Sequence, residues 1–112
     1  MANTAWKRCE RAVASRLGGQ RVPITGRARG DVPDVAHPWL AVEVKHRRAL
    51  PAWLKGALAQ AEAAAQEGQL PLAVLHEAGA HHDSDLVVLR LGDFAAWFGE
   101  VEANHTHEGE PS

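Results

Sequence analysis

Apolar residues recur at helical spacing at Trp6, Cys9, Val13 and Leu17, and Gly18-Gly19 follows. The chain therefore opens with a helix over about residues 4–17 that stops at the glycine pair. Residues 20–24 read as a short strand. Residues 26–30 (GRARG) read as a basic loop, because two glycines without apolar periodicity leave the arginines facing solvent or a ligand. Residues 32–36 and 39–46 predict two strands joined through His37-Pro38, a dipeptide that cannot continue a ladder. Alternation in the second strand sets Leu40, Val42, Val44 and His46 on a core face, and Trp39, Ala41, Glu43 and Lys45 on the other. Residues 51–67 begin with Pro, are rich in Ala, Leu, Gln and Glu, and end at Gly68, which predicts a helix. Strands follow from Pro71 (PLAVLHE) and Asp85 (DLVVLRL) around a Gly- and His-rich connection, and a short helix spans 93–98. The order α-β-β-β-α-β-β-α predicts one α/β domain over residues 1–102, a central mixed sheet flanked by helices. Residues 103–112 read as a disordered polar tail.

The 112 residues are 46% apolar and 23% charged, the composition of one globular core. A core of this size has little area to spare for a deep cleft, so an open site completed by a partner subunit fits. The absence of an apolar run near 20 residues, and of a signal-peptide core, points to an intracellular, cytoplasmic protein without a membrane segment. Cys9 has no cysteine partner and is expected to be a small buried apolar residue. Trp6, Trp39, Trp53 and Trp97 sit at periodic positions and read as core or subunit interface rather than base-stacking platforms.

Charge changes the picture. Through Arg48 the chain carries ten Lys or Arg against four acids, or +6, and the remainder carries two against ten, or −8. A basic half with a few carboxylates among its arginines suits a phosphate-binding face. His81-His82-Asp83, with His105 and His107, raises zinc, but the spacing matches no structural zinc pattern and cysteine support is absent.

If the two strands pair symmetrically about His37-Pro38, position i lies opposite 75 − i. Asp34 then faces Ala41, on one face with Glu43 and Lys45, whereas Asp31 has the other parity and is a loop residue. Diagonal neighbours of this kind have Cα atoms about 7–8 Å apart, close enough for Asp34 and Glu43 to share a cation. A magnesium ion with oxygen ligands at about 2.1 Å would bridge them. A carboxylate pair beside an ammonium on a basic face suits phosphodiester hydrolysis, in which a metal activates water and offsets developing charge. The same residues also admit a plainer reading, with Asp34 capping a turn, Glu43 and Lys45 as a surface ion pair, and Glu10 as a surface helix carboxylate.

Pro33-Asp34, eight intervening residues and Glu43-Val44-Lys45 resemble the signature of the PD-(D/E)XK nucleases. With Glu10, the Gly-rich loop and Gln60 on the following helix, residues 4–91 look most like the archaeal and phage Holliday-junction resolvases. The resemblance implies a restriction-endonuclease-like fold and a structure-selective DNA endonuclease that resolves four-way junctions by paired nicks as a homodimer. Phage origin is among its implications. Asp34 and Glu43 would be metal ligands, with the Val44 carbonyl a third and Glu10 contributing directly or through water. The ion would be Mg2+, with Mn2+ able to substitute. Lys45 would orient or deprotonate the attacking water, and Gln60 would support it. Thr25 is the nearest match to a hydroxyl residue before the PD motif. Lys7, Arg8, Arg11, Arg27, Arg29, His46, Arg47, Arg48 and Lys55 are the candidate DNA contacts. The alternatives are a nuclease of this type for a restriction or repair substrate, and a DNA-binding module without catalysis.

Overall fold

A computed structural model describes residues 2–22 and 33–99. Thr25, Arg27, Arg29, Asp31, His105, His107 and the tail lie outside the described residues. The protein is mixed α/β. In chain order the elements are α1 (Ala2–Leu17), β1 (Gln20–Arg21), β2 (Val35–Ala36), α2 (Ala52–Ala64), β3 (Ala73–Leu75), a 3-10 turn (His82–Ser84), β4 (Leu86–Val88), α3 (Leu91–Phe94) and a π-helical turn (Ala95–Gly99). The expected central mixed sheet is replaced by two separate two-stranded antiparallel sheets, β1 with β2 and β3 with β4. The strand expected over 39–46 is reduced to one isolated bridge, Val35 to Val42. No helix among the described residues is long and apolar enough to cross a membrane.

The chain divides into two compact units. The first comprises the described residues 2–22, 33–47 and 95–99, and the second is Arg48–Phe94.

In the first unit α1 ends as its glycines predict. Gly18 adopts φ +75° and donates to the Ser15 carbonyl, while Gly19 donates to the Ala14 carbonyl at 2.8 Å, which together form a Schellman closure. Gly19 is also required by packing. A Cβ there would run into the Ala36 carbonyl oxygen and come within 2.8 Å of Val35 Cγ1. Gly19→Ala is therefore expected to lower stability by about 1–3 kcal/mol, the usual cost of overpacking. A denaturation midpoint unchanged from wild type would contradict this close approach.

The core joins Ala14 of α1 to Val35 and Val44, with Cys9, Val13 and Val42 packed against it. Val35 is completely buried. That burial contributes about 1.5–3 kcal/mol. The buried row of α1 is Glu10, Ala14 and Leu17, rotated from the expected stripe so that Trp6 is exposed and Cys9 only half-buried. Trp39, Trp53 and Trp97 are exposed as well, so none of the four tryptophans is core. Among the described residues the core is built from small and β-branched side chains at these close approaches.

In the second unit α2 ends at Ala64, three residues before the expected limit, because Ala65 turns extended with its N–H shared between the Ala61 and Glu62 carbonyls. Leu58 is the buried residue of α2. The β3–β4 register pairs Ala73 with Val88, Val74 with Val87 and Leu75 with Leu86. Glu62 of α2 accepts two hydrogen bonds from Arg90, at 2.7 and 3.2 Å. The hydrogen bond and charge of Arg90 hold the Glu62 carboxyl below the usual carboxylate range. The pair is at the surface, so its contribution to stability is small. The last helix begins two residues earlier than expected and passes into the π-helical turn.

Candidate functional site

Asp34 organises the first unit. In a regular antiparallel pair a residue exchanges both of its main-chain bonds with one neighbour. Asp34 instead donates its N–H to the Val42 carbonyl at 2.8 Å, while its own carbonyl accepts from the Val22 N–H at 2.9 Å on the other side. Its side chain then completes the join, as Oδ2 accepts from the Val44 N–H at 2.6 Å in a buried contact. A carboxylate thus takes the place of a ladder carbonyl, which is why 39–46 is not a strand. A short polar side chain competing for main-chain N–H groups commonly interrupts secondary structure in this way.

The register also differs from the symmetric one. Val35 pairs with Val42 in a single bridge, where the symmetric register would set it opposite Leu40. A shift of two keeps side-chain parity. The alternation survives as burial, with Val42 half-buried and Val44 buried while Ala41, Glu43 and Lys45 are exposed. His46, expected on the core face, is exposed. Glu43 and Lys45 form an ion pair at 3.1 Å, with side chains 60% and 64% exposed, whereas Asp34 is buried.

Glu10 is buried in the row of α1 that meets the core. Its Oε1 accepts from Arg21 Nε at 2.6 Å, and its Oε2 is buried without a hydrogen-bond partner among the described residues. Arg21 is the residue that the sequence reading left among the general basic charge. The available signal was a carboxylate on the same helical face as Ala14 and Leu17, since a buried acid requires a cationic partner.

Searches against models of known protein families, curated proteins and solved structures returned no match to this chain.

Glu10, Asp34, Glu43, Val44 and Lys45 all belong to the first unit, and Gln60 and Lys55 are exposed on α2 of the second. Glu10, Asp34 and Glu43 do not gather into a set whose ligand atoms all lie within 4.8 Å of one another. Glu10 is held by Arg21, Asp34 by the Val44 N–H and Glu43 by Lys45. As a donor set these oxygens are nonetheless of the hard kind that magnesium takes. Glu10 Oε2, without a hydrogen-bond partner among the described residues, is a spare acceptor of the same kind. Lys7, Arg8 and Arg11 are exposed along α1, as are Arg47 and Arg48 after the motif. An open groove at the end of α1 is lined by Arg11, Ser15, Gln20 and Arg21, a set rich in hydrogen-bond donors.

Proposed function

We propose that this chain is a metal-dependent DNA endonuclease of the PD-(D/E)XK type that acts on four-way junctions as a homodimer. The observation that carries the reading is the bond from the Val44 N–H to Asp34 Oδ2, which ties the PD dipeptide to the residue between Glu43 and Lys45. Asp34 and Glu43 would hold Mg2+ or Mn2+, with the Val44 carbonyl and Glu10 in support, and the ion would supply an activated water and neutralise charge on the phosphate. Lys45 sets its ammonium 3.1 Å from Glu43 Oε2 and would orient the attacking water or, once it has lost a proton, accept one from it. Arg11, Lys7, Arg8, Arg47 and Arg48 supply exposed positive charge for the phosphate backbone.

The homodimer is supported by the β3–β4 hairpin. Its strands are short continuous apolar runs, a pattern consistent with full burial, yet Val74, Leu86 and Val87 are each more than half exposed. A second copy would cover them. Sedimentation should return about twice the chain mass, and a strict monomer at assay concentration would remove the dimer from the proposal.

The catalytically silent DNA-binding module is favoured by one observation, the pairing of Glu10 with Arg21 and Glu43 with Lys45, which leaves acids neutralised within the chain. A magnesium-dependent cleavage assay on a four-way junction, beside linear duplex, splayed arm and single strand of the same sequences, separates the readings. Paired nicks in the junction support the resolvase, cuts confined to another substrate support a restriction or repair nuclease, and binding without cuts supports the module.

A further inference from the structure

We propose that His76, His82 and Asp85 form a binding site for a zinc-class transition-metal cation, in the second unit and separate from the acidic residues of the proposed nuclease. The β3–β4 register, carried one residue past Leu75 and Leu86, sets His76 opposite Asp85. The 3-10 turn His82–Ser84 then folds His82 back, with Asp85 capping its C-terminus. His76 Nδ1 lies 2.7 Å from Asp85 Oδ1, and His82 Nδ1 lies 3.1 Å from Asp85 Oδ2. Both rings present Nδ1 to that one carboxylate, and they stack with centroids 4.2 Å apart at 25°, so binding one ion would turn the exposed rings out of the stack to bring their in-plane lone pairs together. All three ligand atoms fall within 4.8 Å of one another.

Tetrahedral zinc holds nitrogen and oxygen ligands at about 2.0–2.2 Å, which places neighbouring ligand atoms roughly 3.3 Å apart. The ring-to-carboxylate separations of 2.7 and 3.1 Å would open by about 0.6 and 0.2 Å to reach that. Two imidazoles and one carboxylate leave one position for water, the donor set of an open zinc site, and they contain no sulfur that would favour copper(I). The cation would replace the protons now shared between each ring and the carboxylate, and it would staple the 76–85 connection across the hairpin. His81 takes no part. Its Nδ1 accepts from the Asp83 N–H within the turn.

The competing assignment is a proton-sharing His–Asp cluster, and titration of the full chain with Zn2+ alone separates the two. A chelator-competition assay should return one zinc per chain, a melting temperature that rises with zinc concentration, and Co2+ visible absorption of tetrahedral intensity. His76→Ala, His82→Ala and Asp85→Asn should each weaken binding by at least about 100-fold, because loss of an outer-sphere partner alone costs 10- to 100-fold. Affinity should fall in acid, since the rings must be neutral to bind. Far-UV circular dichroism of each zinc-free variant shows whether its fold is intact, and Asp85→Asn, which keeps the side-chain volume, reads the site if an alanine variant unfolds. A His105→Ala/His107→Ala chain should bind as wild type does. No saturable zinc binding, binding unchanged in the three variants, or binding lost with the two distal histidines would overturn the assignment.

Discussion

Asp34→Asn is expected to abolish magnesium-dependent cleavage while leaving the fold and junction binding in place. The amide oxygen can still accept from the Val44 N–H that Asp34 Oδ2 now holds. The join between the two segments is therefore kept, but an amide is a far weaker magnesium ligand than a carboxylate. Removing a negative charge near the phosphates should leave DNA affinity equal or higher. Asp34→Ala is the less informative variant, because it strands a buried N–H and adds about 1–3 kcal/mol of instability. Cleavage, junction binding and melting temperature measured together on wild type and Asp34→Asn distinguish the outcomes. Full cleavage by the folded variant would remove Asp34 from the metal site.

Arg21→Ala should be the most destabilising single change in the first unit. Glu10 is 1% exposed, and Arg21 is its hydrogen-bond partner among the described residues. Deleting one member of a buried pair costs about 3–5 kcal/mol, since the other is left as an uncompensated charge. Against a total near 5–15 kcal/mol for an ordinary domain, that loss removes at least about a fifth of the stability and, at the low end of the range, unfolds a large fraction of the molecules. Replacing both members, as Glu10→Leu with Arg21→Met, should recover most of it, because well-packed apolar pairs often match buried ion pairs. Denaturant unfolding of the two single variants and the double variant gives the coupling. If Arg21→Ala costs less than about 1 kcal/mol, the Glu10 carboxylate has another partner and the pair is not what fixes α1 to β1. If the restored double variant also fails to cleave, Glu10 has a part in activity beyond holding the helix.

The helices were legible because their apolar spacing and their terminal glycines speak locally. Gly18 and Gly19 stop α1 as read from the sequence, and the alternation around Val42 and Val44 correctly sorts buried from exposed positions. What escaped were contacts set by side chains far apart in sequence. Hydrophobicity alone chooses Trp6 for the buried stripe and leaves Glu10 outside, whereas an arginine eleven residues on reverses the choice. The strand over 39–46 is lost because Asp34, ten residues earlier, captures the Val44 N–H. The two-residue shift in register follows from the same contact, since no rule of turn symmetry includes a carboxylate acting as a ladder acceptor. Likewise the histidine pair read from adjacency was His81 with His82, while hairpin register brings His76 to Asp85.

The resemblance behind the proposed activity centres on Glu10, Asp34, Glu43 and Lys45, and it predicts chemistry that a single measurement reaches. Wild-type chain incubated with a labelled four-way junction should, on addition of Mg2+ or Mn2+, release symmetrically nicked duplex products. Chelation should stop the reaction, and neither Asp34→Asn nor Lys45→Ala should support it at more than a small fraction of the wild-type rate. Intact junctions after prolonged incubation with either metal, at protein concentrations where the chain binds them fully, would contradict the catalytic reading and leave a DNA-binding module in its place.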